Sequence, residues 1–269
     1  MDDILLHTDV YKMSHGVMMA PNLNKMYSYL TTRSDKKFNE VVFFGLQYYL
    51  KKYLEKPITP EMGEEFLEVQ KAIVGEAPGM AEKIRSLCKL GYWPLKIKAV
   101  EEGSVLPKYN ALMTITNIHP DFAWTVGFVE SLLLKVWYTC TVSTQCLQYR
   151  RVLKKAFEET VDDDQSTLLD FLVHDFGYRG DTSEEGSGIS GVAHLCSFLG
   201  SDTVMAHKVA KEYYHATEPI MLSVPASEHS VMCSYERNNE FEAFSNILRT
   251  WRNILPASRL AQRHRKENL

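Results

Sequence analysis

The heptapeptide HDFGYRG, His174 to Gly180, sets an aromatic ring and a guanidinium three residues apart, directly after an apolar run from Leu168 to Val173. That run reads as a buried strand, so the pair sits at a strand's carboxyl end, which is where α/β folds bind ligands. Phe176 offers a flat stacking face, and Arg179 a fork of donors suited to a phosphate or carboxamide oxygen. Two further segments occupy similar positions. GSDT, Gly200 to Thr203, adds the carboxylate of Asp202, and SVPASEHS, Ser223 to Ser230, adds Ser223 and the neighbours Glu228 and His229. Imidazole titrates near neutrality and can be a nucleophile toward a phosphoryl group. Each residue also has an ordinary structural use: Asp202 as N-cap of a helix starting at Thr203, Arg179 in a surface salt bridge, His229 as a hydrogen-bonded structural histidine.

The elements that must position these groups follow from the hydrophobic pattern. Segments 25–33, 41–44, 96–100 and 112–118 read as strands, and Leu46, Tyr49, Leu50 and Tyr53 mark an amphipathic helix. Thr59-Pro60 is a helix start, a helix over Met80 to Leu90 stops at Gly91, and Asp121 to Trp137 and Val142 to Phe157 read as two long consecutive helices. After Leu168 the order becomes strand, helix, short strand, helix (Thr203 to Tyr214), strand (Ile220 to Val224), helix, the alternation of parallel βα units. The acidic run Asp162 to Asp164 reads as a solvated loop.

Composition sets bounds on the partners. With 269 residues, 45% hydrophobic and 24% charged, the chain can bury a core, and its net charge of −4 provides no general attraction to nucleic acid or anionic lipid. An acidic start, MDDILLHTDVYK, and the lack of a long apolar run argue against a signal peptide and a membrane span, so a cytoplasmic protein is expected. Cys88, Cys140, Cys146, Cys196 and Cys233 form no Cys-x-x-Cys pair and read as reduced, buried thiols rather than disulfides or a zinc site.

HDFGYRG, GSDT and SVPASEHS, in this order, together with TDVYKMSH (Thr8 to His15) and FFGLQYYLKKYL (Phe43 to Leu54), resemble the nicotinamide phosphoribosyltransferases of the nicotinate phosphoribosyltransferase family. The resemblance runs from about residue 4 to about residue 250. It implies an α/β protein with three parts: an α+β N-terminal domain over 1–110, linking helices and the first part of a type II phosphoribosyltransferase βα barrel over 111–250, and a divergent basic tail over 251–269. It also implies transfer of phosphoribosyl from phosphoribosyl diphosphate to nicotinamide, yielding nicotinamide mononucleotide and diphosphate, with Mg²⁺ on the diphosphate and ATP as a stimulatory co-substrate. Phe176 would stack on one face of the pyridine and Tyr11, from the partner of a homodimer, on the other. Asp202 would accept from the carboxamide NH₂ and repel nicotinate, with Ser223 bonding the same carboxamide. Arg179 would hold the carboxamide oxygen or the ribose phosphate, and Arg33 would reach phosphoribosyl diphosphate from the other subunit. His229, beside Glu228, would be the transiently phosphorylated catalytic histidine.

Some features depart from that pattern. In VEEGSVLPKYN, Val100 to Asn110, Glu102 stands where the family usually has proline, and Lys108-Tyr109 replaces an Arg-Gly pair, so the turn there is expected to be remodelled. The family continues past residue 250 with a second carboxamide aspartate and phosphate-cradling loops. This chain instead ends in Arg249, Arg252, Arg259, Arg263, Arg265 and Lys266 against one acid, Glu267. An incomplete barrel is therefore expected, its tail either a basic interaction segment or, the favoured alternative, a truncated or out-of-frame end. The functional alternatives are a non-catalytic truncated homologue that dimerises or binds ligand weakly and, disfavoured by Asp202, a nicotinate phosphoribosyltransferase.

Overall fold

The computed structural model of the chain describes residues 3–33 and 37–252. Strands β1 (Tyr27–Thr31), β2 (Glu40–Val42), β3 (Leu95–Ala99), β4 (Val105–Pro107) and β5 (Ala111–Asn117) make two antiparallel sheets, β1-β5-β3 and β2-β4. In the larger sheet Tyr29 faces Thr114 and Ile97 faces Ile115, with a register shift between Leu30 and Thr31. Alternation sends Met113 and Ile115 of β5 inward. Buried Asn117 closes its end by accepting from the Met26 N–H and donating to the carbonyls of Asn24 and His119. The central strand β5 lies beyond residue 110, so the front sheet crosses the boundary expected from sequence. β4 was not foreseen, because three residues ending in proline are too short for alternation to show.

Helix α1 (Leu46–Tyr49) continues as a π-helical turn, Leu50–Leu54. It starts from Gly45 at φ +107°, and a Cβ there would overlap the side chain of Thr139, so only glycine fits. Helix α2 (Pro60–Val74) has the expected N-cap, Thr59 accepting from the Met62 N–H, and α3 (Met80–Leu90) ends on left-handed Gly91 as expected.

The two long helices expected over 121–157 take another form. Residues 120–133 make short turns, Pro120–Phe122, Thr125–Phe128 and Glu130–Leu133, and a single helix α4 runs from Val136 to Thr160. Trp124, Val126, Phe128, Val129, Leu132 and Leu133 are all buried, so this stretch is threaded through the core rather than laid on it with one apolar face. α4 passes unbroken through Thr139 and Thr141, and the hydroxyls of Thr139, Thr141, Ser143 and Thr144 find partners in carbonyls three or four residues earlier.

Helices α5 (Glu184–His194) and α6 (Val204–Tyr213) pack closely, because Gly188 lies against Val209 and Gly191 against Ala206. The strands expected over 168–173 and 220–224 are not formed. Asp163–Phe171, including most of the acidic run read as a loop, is a 3₁₀ helix with Leu168 partly exposed. Parallel pairing is reduced to two bridges, Asp175 with Ser201 and Gly200 with Leu222. Parallel strands are stable when covered on both faces and paired along their length, and here the chain at 170–175 is joined to its neighbour by backbone bonds to Leu199, Gly200 and Asp202. The three segments still run side by side in one direction, the arrangement expected of the first βα units.

Helices α7 (His229–Cys233) and α8 (Glu240–Trp251) follow. The basic tail expected over 251–269 lies, from residue 253 on, outside the described residues. Cys88, Cys140 and Cys146 are buried free thiols, whereas Cys196 and Cys233 are exposed, contrary to the expectation of five buried thiols. Among the described residues no helix is long and apolar enough to cross a membrane.

Candidate active site

The parallel bridges align the ends of three segments, and each delivers one part of a polar cluster. The Asp175 N–H donates to the Gly200 carbonyl (3.1 Å), the Asp202 N–H to the Asp175 carbonyl (2.9 Å), and the Ser201 N–H to the Leu222 carbonyl (3.0 Å). With the backbones held so, His174, Asp202 and Ser223 meet: His174 Nε2 lies 2.8 Å from Asp202 Oδ1, and the Ser223 hydroxyl donates to the same oxygen. Those bonds, Ser223 first and then His174, hold the Asp202 carboxyl below its ordinary range, so it is an anion at neutral pH. Phe176 lies beside the pair, its ring 4.5 Å from that of His174 and 68% exposed, which leaves a stacking face open.

The N-cap use of Asp202 is not what the structure shows. The first free N–H of α6, on Thr203, donates to the Ser201 hydroxyl at 3.1 Å, while the Asp202 side chain turns to His174 and Ser223. Asp175 ties the turn together by accepting from Gly177 N–H (2.8 Å) and Ser201 Oγ (3.2 Å). Behind the cluster His194 is buried, with Nε2 3.0 Å from the Gly200 carbonyl and Nδ1 3.6 Å from Cys146 Sγ. Burial lowers its pKa, so it is a neutral ring donating to Gly200.

The other expected site residues share no hydrogen bond, ion pair or ring contact with this cluster among the described residues. Arg179 is exposed on the 3₁₀ turn Gly177–Gly180 and has no ion pair among the described residues, so its salt-bridge use is not seen either. His229 is exposed at the start of α7, and Glu228 accepts from Ser230 rather than from His229. Tyr11 is 60% exposed. Its 3₁₀ helix, Val10–Ser14, is anchored by the buried Lys12, whose ammonium donates to the Gly127 carbonyl and to Glu130, each at 2.7 Å. Arg33 is exposed just after β1. No hydrogen bond or ring contact joins Tyr11, Arg33 or His229 to Asp202 among the described residues. His174, although inside the most informative motif, was given no role by sequence reasoning, and neither were Asp175 and His194. The contact from His174 to Asp202 spans 28 positions and leaves no local spacing to detect.

An α+β front unit is thus followed by parallel βα segments, with an anion and a bare ring at the segments' carboxyl ends. In fold the chain is similar to human nicotinic acid phosphoribosyltransferase, with a TM-score of 0.56 and 16% identity over 84% of this chain and 40% of that one. Residues 3–77 match the model of the nicotinamide phosphoribosyltransferase N-terminal domain, and residues 171–260 that of the nicotinate phosphoribosyltransferase family. In both matched segments the chain is thus similar to the nicotinamide and nicotinate phosphoribosyltransferases. It is 36% identical over 92% of its length to the nicotinamide phosphoribosyltransferase of Xanthomonas campestris, and 33% identical over 89% to that of Acinetobacter baylyi. It covers 52% and 50% of those two proteins, and so spans about half the length of the curated relatives it matches.

Proposed function

We propose that this chain serves the transfer of phosphoribosyl from phosphoribosyl diphosphate to nicotinamide, a step of NAD salvage. The observation that carries this is the cluster in which His174 bonds the Asp202 carboxylate on one side and packs against the open ring of Phe176 on the other. A pyridine carboxamide stacks on the ring and donates an N–H to the carboxylate, whereas nicotinate brings a second negative charge. Two charges about 4 Å apart repel by about 1–4 kcal/mol between water and a partly screened protein surface. The Asp202 side chain is 38% exposed, which favours the lower part of that range. Arg179, with no ion pair among the described residues, takes the carboxamide oxygen or the ribose phosphate.

Exposed Tyr11 and Arg33 suit residues that complete the site of a second copy, so the working form in this reading is a homodimer. Mg²⁺, a hard cation that keeps water and phosphate oxygens as most of its ligands, enters on the diphosphate oxygens of the substrate. ATP acts through His229, which is accessible to a terminal phosphate.

A second reading, ligand binding without turnover, is favoured by the open setting of the cluster and by α8, which turns Phe241, Phe244 and Leu248 to solvent. One experiment separates the readings. The 269-residue chain is incubated with Mg²⁺, ATP, phosphoribosyl diphosphate and either nicotinamide or nicotinate, and mononucleotide formation and ligand binding are both measured. Preference for nicotinamide, reduced in Asp202→Asn, supports the proposed specificity, and binding without product selects the second reading. Equal handling of the two pyridines overturns the role of Asp202.

A further inference from the structure

We propose that His174 and Ser223 are positioning residues that clamp one oxygen of Asp202 and leave the other, Oδ2, as the single acceptor offered to a ligand N–H; this rests on the nicotinamide reading. Both observed bonds converge on Oδ1: His174 Nε2 at 2.8 Å and the Ser223 hydroxyl. Asp202 Oδ2 accepts from no group among the described residues. A free aspartate rotates about its side-chain torsions and presents two equivalent oxygens, whereas this one is held from two sides by two different segments.

The imidazole is itself confined. A Cβ on Gly200 would come within 2.7 Å of His174 Nδ1, so the absence of a side chain at 200 lets the ring lie flat over the chain, against Phe176. The charged and titratable groups around the pair are occupied. Asp175 is held by Ser201 and Gly177, and His194, reaching in from α5, is committed to the Gly200 carbonyl. Neither competes for Asp202.

The clamp changes the assignment of Ser223. Its hydroxyl proton is spent on Asp202, so Ser223 acts on the ligand through the aspartate. It also explains how one carboxylate distinguishes an amide from an acid: a fixed, ionised acceptor rewards an N–H and has no proton to offer a carboxylate. Loss of either clamp residue weakens nicotinamide binding and leaves nicotinate binding little changed.

The test uses the full chain labelled with ¹³C at aspartate carboxyls, with His174→Ala, His174→Gln, Ser223→Ala and Gly200→Ala variants. Two quantities are read: the titration midpoint of Asp202, and the ratio of nicotinamide to nicotinate affinity by saturation-transfer NMR. His174→Ala and Ser223→Ala are expected to move the midpoint up toward the ordinary aspartate range and to lower the affinity ratio about fivefold, the worth of one ordinary hydrogen bond. His174→Gln, which keeps an N–H donor, is expected to stay closer to the parent than His174→Ala. Gly200→Ala, which displaces the ring, is expected to behave like His174→Ala. An Asp202 midpoint unmoved in both alanine variants overturns the clamp whatever the ligand. A moved midpoint with an unchanged affinity ratio overturns its role in specificity. Midpoints that move as expected, in a parent chain that does not prefer nicotinamide, uphold the clamp and overturn the nicotinamide reading instead.

Discussion

Replacing Glu102 with alanine should loosen the joint between the front sheet and the βα half. The Glu102 carboxylate accepts from the Gly45 N–H at 2.7 Å and the Gln47 N–H at 2.6 Å, taking the place of an N-cap for α1 from 55 or more positions away. It also accepts from the Tyr214 hydroxyl at 3.0 Å, just after α6, and the Tyr214 ring stacks on Phe44 at 5.1 Å. Losing a helix N-cap costs about 0.5–2 kcal/mol, and hydrogen bonds to a charged group are worth about 1.5–3 kcal/mol. The bonds share one carboxylate and do not add fully, so a loss of about 3 kcal/mol is expected for Glu102→Ala. For a chain of this size that lowers Tm by about 6–12 °C. Glu102→Gln keeps one acceptor oxygen and should lose about half as much. Circular dichroism melts of the three proteins, with urea titrations to confirm an unchanged m-value, measure the effect. A Tm for Glu102→Ala within about 2 °C of the parent, less than 1 kcal/mol on the same scale, would refute the view that this carboxylate joins the two halves.

Gly45→Ala combines a left-handed backbone with overlap on Thr139 and should cost more than about 3 kcal/mol, read from the urea midpoint. Tyr109 holds a left-handed conformation, φ 71°, where the resembled family has glycine, and its side chain is 59% exposed. Tyr109→Gly should therefore stabilise by about 0.5–1 kcal/mol, and a lower urea midpoint would count against strain at that turn. Burial pushes the Glu185 carboxyl up, but hydrogen bonds from Tyr53, Lys52 and Tyr48 outweigh it and hold the folded-state pKa below 4.5. Its contribution is thus complete above the ordinary glutamate range and lost as pH falls through the folded value, so Glu185→Gln should flatten the acid limb of stability against pH. Neutral, buried His194 acts nearer neutrality: its folded pKa is lowered, so its contribution is complete above about 6.5 and declines as pH falls below that, and His194→Gln should remove that slope.

What could be read from sequence divides along the range of the interactions. β1, β3 and β5 showed themselves because alternation is a local signal, and Thr59-Pro60 and Gly91 because caps act within one turn. α4 was misread at residues 138–141, where β-branched and polar residues interrupt the apolar period. Their hydroxyls bond back along the helix, which an apolar period does not record. Among the candidate residues, motif order picks out Phe176, Asp202 and Ser223, and Asp202 and Ser223 meet. The partners that give them their settings, His174 to Asp202 and Glu102 to Tyr214, are 28 and 112 positions apart and depend on how the chain returns. Of the two uses weighed for Asp202, the cap is not made, because its side chain turns to His174 and Ser223, and an aspartate before a helix looks the same in sequence whichever way its side chain turns.

The β1-β5 pairing also governs how this chain is made. Tyr27 faces Thr116, 89 residues downstream, and β1 has no other strand neighbour among the described residues. At about 5–20 residues per second, roughly 4–18 s pass between the emergence of β1 from the ribosomal exit tunnel and that of its partner. During that interval α2 and α3 can form from local contacts, while β1 waits as an unpaired edge carrying Tyr27, Tyr29 and Leu30. Nascent chains are therefore most exposed to self-association, and most in need of a chaperone, in the window that closes when β5 emerges.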